Sequence, residues 1–410
     1  MLDINYIKEN PKKIKEGIKK KGYDSEIVDR VLKVDEARRQ LIAEVDKFRQ
    51  ERNKLGKKEI EKGKKIKEML RRLEPDLRAI EEEFQNLMLQ IPNLPADDVP
   101  DGKDESDNVE VKKWEKPRKF SFKPKDHLEL GELLDLIDVK RAAKVSGTRF
   151  GYLKNEAVIL QFALIKFTFD FLQEEGFLPV IPPELIKKES MQGMGYLEHG
   201  GEEDMYVLDK DDLVLIGTAE QAIGPMHADE VFESKELPRR YLGFSSGFRR
   251  EAGTYGKDTR GIFRVHHFHK IEMFSFTKPK EGDKEHQYFL TLEENLVQAL
   301  EIPYQITQMC TGDLGHPVAR KYDLNCWFPA KKQYRETHSV STCTDYQARR
   351  LNIKFREGNK TDFVHTLNGT AFAIGRTILA ILENHQQKDV SVLIPKLLQK
   401  YTGFDKISPK

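Results

Sequence analysis

The chain has 410 residues, 38% hydrophobic and 33% charged, and its 69 basic and 68 acidic side chains leave a formal charge of +1. That length allows about two or three domains with a sizeable core, and near-neutrality means that a nucleic-acid partner would have to meet local basic patches. Cys310, Cys326 and Cys343 fit neither a disulfide framework nor a CxxC metal knuckle, so reduced thiols in a cytosol are expected. The start MLDINYIKENPKK lacks a signal-peptide core, and no run of about 18 apolar residues occurs, which disfavours secretion and membrane spanning.

Residues 1–90 hold 24 Lys/Arg and 19 Asp/Glu but only four aromatics, too few for a thick core. Asn10-Pro11 reads as a helix cap followed by Pro at the first helical position, with Ile14 and Ile18 facing one way. Ile27, Val31, Val34, Leu41, Val45, Phe48 and Leu55 then follow a heptad seam interrupted by Arg38 and Arg52. A second seam, Ile66, Leu70, Leu73, Leu77, Ile80, Phe84, Leu87 and Ile91, alternates steps of four and three throughout. The Gly- and Lys-rich GKKEIEKGKK joins them, which predicts an antiparallel helical hairpin, a coiled-coil arm with a basic tip; a dimerising coiled coil is the alternative. Pro75 is expected to kink the second helix or end its regular hydrogen bonding.

Pro92, Pro95 and Pro100, followed by an acidic stretch with neither helical nor strand periodicity, mark a linker, so the domains are placed at 1–105 and 106–410. The second region mixes helices, such as Glu156 to Glu174 with Leu160, Leu164, Phe167 and Phe171 on one face, with strand-like runs that do not alternate regularly with them. An α+β domain with an antiparallel sheet flanked by helices is expected. No GxxxxGK[ST] occurs, and Gly193, Gly195 and Gly200 do not make a GxGxxG fingerprint. In RVHHFHK, a strand would put His267 and His269 on one face and His266 on the other, and packing is favoured over zinc. The run from Phe248 to Phe274 reads as strand, basic glycine-rich loop with Lys257, Arg260 and Arg264, and strand. Alternation puts Arg249 and Glu251 on one surface, able to clamp a phosphate or carboxylate and to accept from an amine. Near the C-terminus a strand passes into an apolar helix containing Gly375 and Arg376, a guanidinium that needs a partner.

FRxEAG with its long loop, and NG[ST]xxAxGR, resemble motifs 2 and 3 of class II aminoacyl-tRNA synthetases, and Pro183 in LPVIPPEL fits motif 1. GTAEQ at Gly217 to Gln221, KIE at Lys270 to Glu272, CTDYQARRLNI and the hairpin with its IPNLP hinge resemble, end to end, the bacterial-type seryl-tRNA synthetase family. The resemblance implies a ligase that activates L-serine with ATP and Mg2+ and loads tRNA(Ser), and tRNA(Sec) as well, in a cytoplasmic homodimer whose arm reads RNA by shape and backbone. It also implies that Arg249 grips the α-phosphate and the serine carboxylate. Arg250, Glu251 and backbone at Val265 would meet ATP, with the adenine between Phe268 and Arg376. Glu336 and Ser339 would hold the metal ion, with Thr337 and His338 beside the nucleotide. Thr218, Ala219, Glu220, Glu272 and Thr370 would form the serine pocket. One departure is His338, where the family has a small hydroxyl residue. Other readings are a ligase loading a carrier protein, which would lack the arm, and a non-catalytic RNA-binding paralogue, which intact Arg249, Glu251, Glu272 and Arg376 argue against.

Overall fold

The computed structural model describes residues 1–56, 59–252 and 261–409, so Lys257 and Arg260 of the basic loop lie outside the described residues. The chain divides into two compact units, Met1–Leu94 and Pro95–Lys410.

In the first unit, α1 (Ile4–Glu9) and α2 (Pro11–Lys20) precede two long helices, α3 (Ile27–Lys54) and α4 (Ile60–Gln90). Helices of 28 and 31 residues span about 42–47 Å at about 1.5 Å per residue. They pack on each other as the hairpin the heptads predict, with Val45, Ile66, Leu70 and Leu77 buried and Leu41, Phe48, Leu73 and Ile80 beside them. The seam interruption at Arg38 has a structural reason. Its guanidinium lies 4.3 Å from the Phe84 ring centre and donates to fully buried Asp35 at 3.0 Å, which also meets Lys8 at 2.6 Å and Arg39 at 3.0 Å. Three cations around one buried carboxylate satisfy it, which is what burial of a charge requires.

Three expectations need correction here. The second helix runs through Pro75 as one element and begins at Ile60, so most of the predicted connector is already helical. Asn10 precedes Pro11 as expected, but its side chain makes no cap bond to α2; its amide donates to Tyr6 O at 3.2 Å and so closes α1 instead.

The second unit is built on an eight-stranded sheet. In chain order its elements are β1 (Val109–Trp114), α5 (Glu156–Glu174), β2 (Leu178–Val180), α6 (Glu220–Ile223), β3 (Arg239–Phe248), β4 (His267–Thr277), α7 (Gly282–Gln298), β5 (Tyr304–Gln308), β6 (Arg320–Phe328), β7 (Gln333–Thr344), α8 (Tyr346–Leu351), β8 (His365–Ala373) and α9 (Ile374–His385). Spatial order is β1-β5-β6-β7-β8-β4-β3-β2, antiparallel except for the β2–β3 pair. The strand β1 lies inside the stretch expected to be irregular. Five of its six residues are exposed, so no burial pattern was written into the sequence.

Leu164, Phe167, Phe289, Leu296, Phe372 and Ile378 join the helices to the sheet in one core. The helix α7 lies close beneath β8: a Cβ on Gly369 would meet Phe289 at 3.0 Å and Glu293 at 3.2 Å. Buried in the same helix, His286 sits 3.4 Å from Val340 O, and burial, then Arg320, lowers its pKa to about 4. A histidine held neutral in the fold takes a proton more readily when unfolded, so its contribution is lost as pH falls from about 6.5 toward 4. Thermal unfolding over that window should therefore show a shallower loss for His286→Leu than for wild type, by up to about 1.4 kcal/mol per pH unit. Parallel curves would mean that His286 is protonated in the folded chain.

Candidate active site

One cavity of about 810 Å³ opens among β3, β4, β6, β7, β8 and the start of α9. Two interruptions of strand pairing determine what faces it. On β7, Leu324 pairs with His338 and Asn325 with Glu336, so Thr337 is an extra residue. On β8, Ile271 pairs with Phe372 and Glu272 with Thr370, so Ala371 is extra. Each bulge shifts the two-residue alternation by one position. Glu336 and Ser339, three apart, thereby both line the cavity, as do Thr370 and Ala373.

The same phase shift sends His338 the other way. It is 1% exposed, its ring lies 5.5 Å from that of Phe372, its Nδ1 shares a 2.8 Å hydrogen bond with Thr337 Oγ1, and burial lowers its pKa to about 3. His338 is therefore a core residue and lies off the cavity wall, so it does not occupy the position that the family resemblance gave it.

The strand reading of the motif 2 run also needs correction, because β3 ends at Phe248. Arg249 is held by its N–H to His266 O at 3.0 Å, and Glu251 adopts a positive φ of 55°. Both line the cavity, brought together by this turn and not by alternation. The Glu251 carboxylate accepts from Arg264 at 2.7 Å. The Arg249 guanidinium stands 5.4 Å from the Phe268 ring centre, and its one hydrogen bond among the described residues is a long one, 3.4 Å, to Gly217 O. The Phe268 ring lies against Gly247, where a Cβ would come within 2.7 Å of the ring and 2.8 Å of Gly217 O. His267 and His269 share one face as alternation predicts, their ring centres 5.3 Å apart, while His266 faces the Arg249 carbonyl at 3.0 Å.

At the start of α9, Arg376 donates to the Glu336 carboxylate at 3.1 Å and the Glu336 carbonyl at 3.0 Å, with its guanidinium 4.8 Å from the Phe263 ring. This is the partner an arginine among Ala, Ile and Leu needs. Burial disfavours the Glu336 charge, but Arg376, Lys321 and Arg249 hold its pKa down to about 2. Lys321 lines the same wall, 3.0 Å from Asp323; burial opposes its charge, yet Asp323 and Glu336 keep it a cation. Phe263 and Lys321 were not singled out in the sequence. Strand alternation puts Lys321 on a face with Asp323, but only the fold shows that this face meets Glu336.

A second corner is lined by Thr218, Glu220, Thr370, Tyr196 and Lys270. Glu220 accepts a hydrogen bond from Tyr196 OH. Glu272 is 1% exposed and lies behind this wall, ion-paired to Lys270 and 3.3 Å from Thr218 Oγ1. Burial raises its pKa to about 7 against the pull of Lys270. Val265 lines the cavity. Ala219 and Arg250 do not: Ala219 is fully buried against β3, and Arg250 is exposed with its N–H on Asp204 O at 2.8 Å. Gly247→Ala should destabilise the fold by about 1–3 kcal/mol, since a backbone carbonyl blocks the added methyl. A denaturant midpoint equal to wild type would show that the ring and carbonyl give way.

Residues 206–385 match the tRNA synthetase class II core domain (G, H, P, S and T), and residues 1–95 match the Seryl-tRNA synthetase N-terminal domain. The serine-tRNA ligase of Dictyoglomus turgidum is 45% identical over 100% of both chains. The crystal structure of seryl-tRNA synthetase from Pyrococcus horikoshii complexed with ATP superposes with a TM-score of 0.94 at 43% identity, covering 100% of each chain. That of the cytoplasmic enzyme of Naegleria fowleri in complex with AMP gives 0.91 at 34%, covering 100% of this chain and 99% of the other.

Proposed function

The chain belongs to the seryl-tRNA synthetase family, and we propose that its cavity binds ATP along the Arg249–Arg376 wall and serine in the Thr218–Glu220 corner. Its reaction is the ATP-dependent joining of serine to tRNA. The full-length likeness disfavours both the carrier-protein ligase and the non-catalytic paralogue. The observation that carries the division of the cavity is the convergence of two guanidinium groups, Arg249 and Arg376, beside a corner rich in carboxylates and hydroxyls.

In the first step the serine carboxylate attacks the α-phosphorus of ATP and pyrophosphate leaves, giving seryl-adenylate. Arg249, whose donors are almost unused by the described protein groups, bridges the carboxylate and the α-phosphate and offsets the charge that builds between them. Glu251 accepts from the adenine amino group, and Phe268 and Arg376 bracket the ring. Serine's ammonium goes to Glu220, and Thr370 with Thr218 contacts its hydroxyl. A pocket whose buried groups must pair with that hydroxyl rejects alanine by about 10⁴ to 10⁵. Threonine is excluded by volume, to which the Thr370 methyl contributes. The 3′-hydroxyl of the tRNA then takes the seryl group, and no covalent enzyme intermediate is required.

Glu336 and Ser339 fit a magnesium ion in donor type, hard oxygens on one face with space beside them for phosphate oxygens, and Mg2+ is commonly held by one or two carboxylates plus substrate. When bound it supplies charge neutralisation on the phosphates. No cluster of three or more His, Cys, Asp or Glu suited to a metal ion occurs among the described residues.

The proposal extends to three partners. Exposed Lys54, Lys62, Lys64, Lys65, Lys67, Arg71 and Arg72 near the arm's tip suit the phosphates of tRNA(Ser), and of tRNA(Sec) as well. Exposed Ile159, Phe162, Leu178 and Ile181, on and beside α5 and β2, suit a homodimer face. We place its action in the cytoplasm, where the family resemblance puts it; no helix among the described residues is long and apolar enough to cross a membrane.

Arg249→Ala and Arg376→Ala should each lower serine-dependent ATP–pyrophosphate exchange by about 10²-fold or more, the scale for removing one preorganised donor. An Arg249→Ala variant that exchanges at the wild-type rate would remove it from the site. Replacing Lys62, Lys64, Lys65 and Lys67 with Ala should leave exchange unchanged while flattening the dependence of tRNA affinity on salt, by about 0.7–0.9 in log–log slope for each phosphate that is no longer neutralised. An unchanged slope would take the RNA off this face.

A further inference from the structure

A buried ion pair stands outside the walls described so far, and it holds one of them in place. The short helix Lys188–Met194 ends at Gly195, whose φ of 84° lies in the left-handed region that favours glycine. Two of its last carbonyls are gripped from α8: Gln347 donates to Met194 O at 3.1 Å, and Arg350 donates to Gln192 O at 2.8 Å. A helix leaves its final carbonyls without partners of its own and concentrates partial negative charge there, so a guanidinium is well placed. Arg350 also reaches past the helix end, to the Glu198 carboxylate at 2.8 Å and the Tyr346 hydroxyl at 2.6 Å. The Arg350 and Glu198 side chains are 1% and 7% exposed.

Glu198 belongs to a segment that lines the cavity through Tyr196, Gly201, Asp204 and Met205. The segment is folded tightly on itself, since a Cβ on Gly201 would collide with Tyr196 O. At one end Tyr196 donates to Glu220 in the corner read as the serine pocket. At the other, Asp204 accepts from the Arg250 and Ala252 N–H groups at 2.8 and 3.1 Å, in the turn that follows Arg249. A second ion pair, Lys188–Glu202, stands in water and adds little. We propose that Arg350 is a positioning residue for the serine corner: bound at once to the helix end and to Glu198, it fixes the 196–205 segment as the wall that closes this corner and carries Tyr196. A rigid guanidinium fork suits a carbonyl, a carboxylate and a hydroxyl held together, as a flexible amine does not. Because the pair is withdrawn from water, Glu198 cannot swing out without leaving an uncompensated buried charge behind. The wall is therefore ordered before the substrate arrives, and binding need not order it.

The inference rests on reading this corner as the serine pocket, and two measurements keep the two apart. Amide hydrogen exchange reads the clamp with no substrate present. Arg350→Met should speed exchange in residues 196–205 by at least about 10-fold, while β3 and β4 keep their wild-type protection. Serine-dependent ATP–pyrophosphate exchange reads the consequence. In Arg350→Met the KM for serine should rise by at least about 10-fold with kcat within about 2-fold of wild type, because a wall remote from the α-phosphorus supports ground state and transition state alike. Glu198→Gln, which keeps an acceptor and loses the charge, should move KM the same way by less. Combining Glu198→Gln with Arg350→Met should be no worse than Arg350→Met alone, as for two members of one contact.

A purely structural arginine predicts a different pattern. Arg350→Met would then lower kcat with the fraction of folded enzyme and leave KM for serine at its wild-type value, and that result overturns the proposal, as does unchanged hydrogen exchange in residues 196–205. Wild-type ATP–pyrophosphate exchange that does not depend on serine would end the reading of the pocket and the role of Arg350 with it, whatever hydrogen exchange shows. Should Arg350→Met fail to fold, as a thermal scan would show, Glu198→Gln decides: a raised KM at wild-type kcat supports the clamp, and an unchanged KM rejects it.

Discussion

The two-residue alternation of an antiparallel strand is the constraint on which this site depends. A regular strand gives one face every second side chain, and a set of ligands three apart in sequence cannot share it. Neighbouring strands β7 and β8 both break the rule, with Thr337 and Ala371 as the extra residues. One bulge brings Glu336 and Ser339 to the cavity and turns His338 into the core; the other does the same for Thr370 and Ala373, with Phe372 turned away. Bulges are found beside active sites because they re-aim side chains in this way. The cavity therefore has polar groups more closely spaced than a regular sheet could present, while Val340 and Phe372 are turned into the core with His338.

That density of polar groups creates an electrostatic problem, which the fold resolves by alternating charge sign along the walls. Arg376, Glu336, Lys321 and Asp323 form one such sequence, and Lys270 with Glu272 a second. Each ion of these two sets meets a counter-ion, which is what burial of a charge requires. The alternation also fixes the side chains before any ligand arrives, which is the property that lets charged groups act on a developing charge without reorganising. Arg249 is the exception. Its guanidinium rests beside Phe268 and makes only the long bond to Gly217 O among the described residues, so it is positioned but not consumed by the protein.

Much of this was legible in the sequence, and the parts that were not have common causes. The heptads gave the helical hairpin because each seam residue repeats at a fixed interval, and the helix Glu156–Glu174 was found at its observed bounds because Leu160, Leu164, Phe167 and Phe171 recur at helical spacing in a long apolar run. The FRxEAG and NG[ST]xxAxGR patterns brought Arg249, Glu251, Thr370 and Arg376 to one cavity. Periodicity failed where strand phase changes or where an element has no buried face. His338 was placed beside the nucleotide because a bulge leaves no mark in the order of residues. The strand β1 was missed because it is exposed along nearly its whole length, and Arg249 with Glu251 share a surface through a turn with a positive φ, not through a strand. Pro75 shows the converse: a strong local breaker gave way to a seam that runs on both sides of it.

The two units use the same cationic side chains to opposite ends. In Met1–Leu94 the apolar seam is narrow, and most of the basic residues stand in water, where each ion pair adds little to stability and every charge is open to screening. Such charges suit a partner that is itself a line of phosphates, because binding can then release counter-ions along its length. In Pro95–Lys410 the important cations are few and withdrawn from water: Lys270 and Lys321 are committed to carboxylates inside the walls, and Arg376 to Glu336. There a single charge acts over a few ångströms in a medium that weakens it little, so its exact neighbour determines the outcome. A cation in water and a cation withdrawn among carboxylates thus act differently although the chemical group is the same, and the chain holds the two kinds in separately packed units.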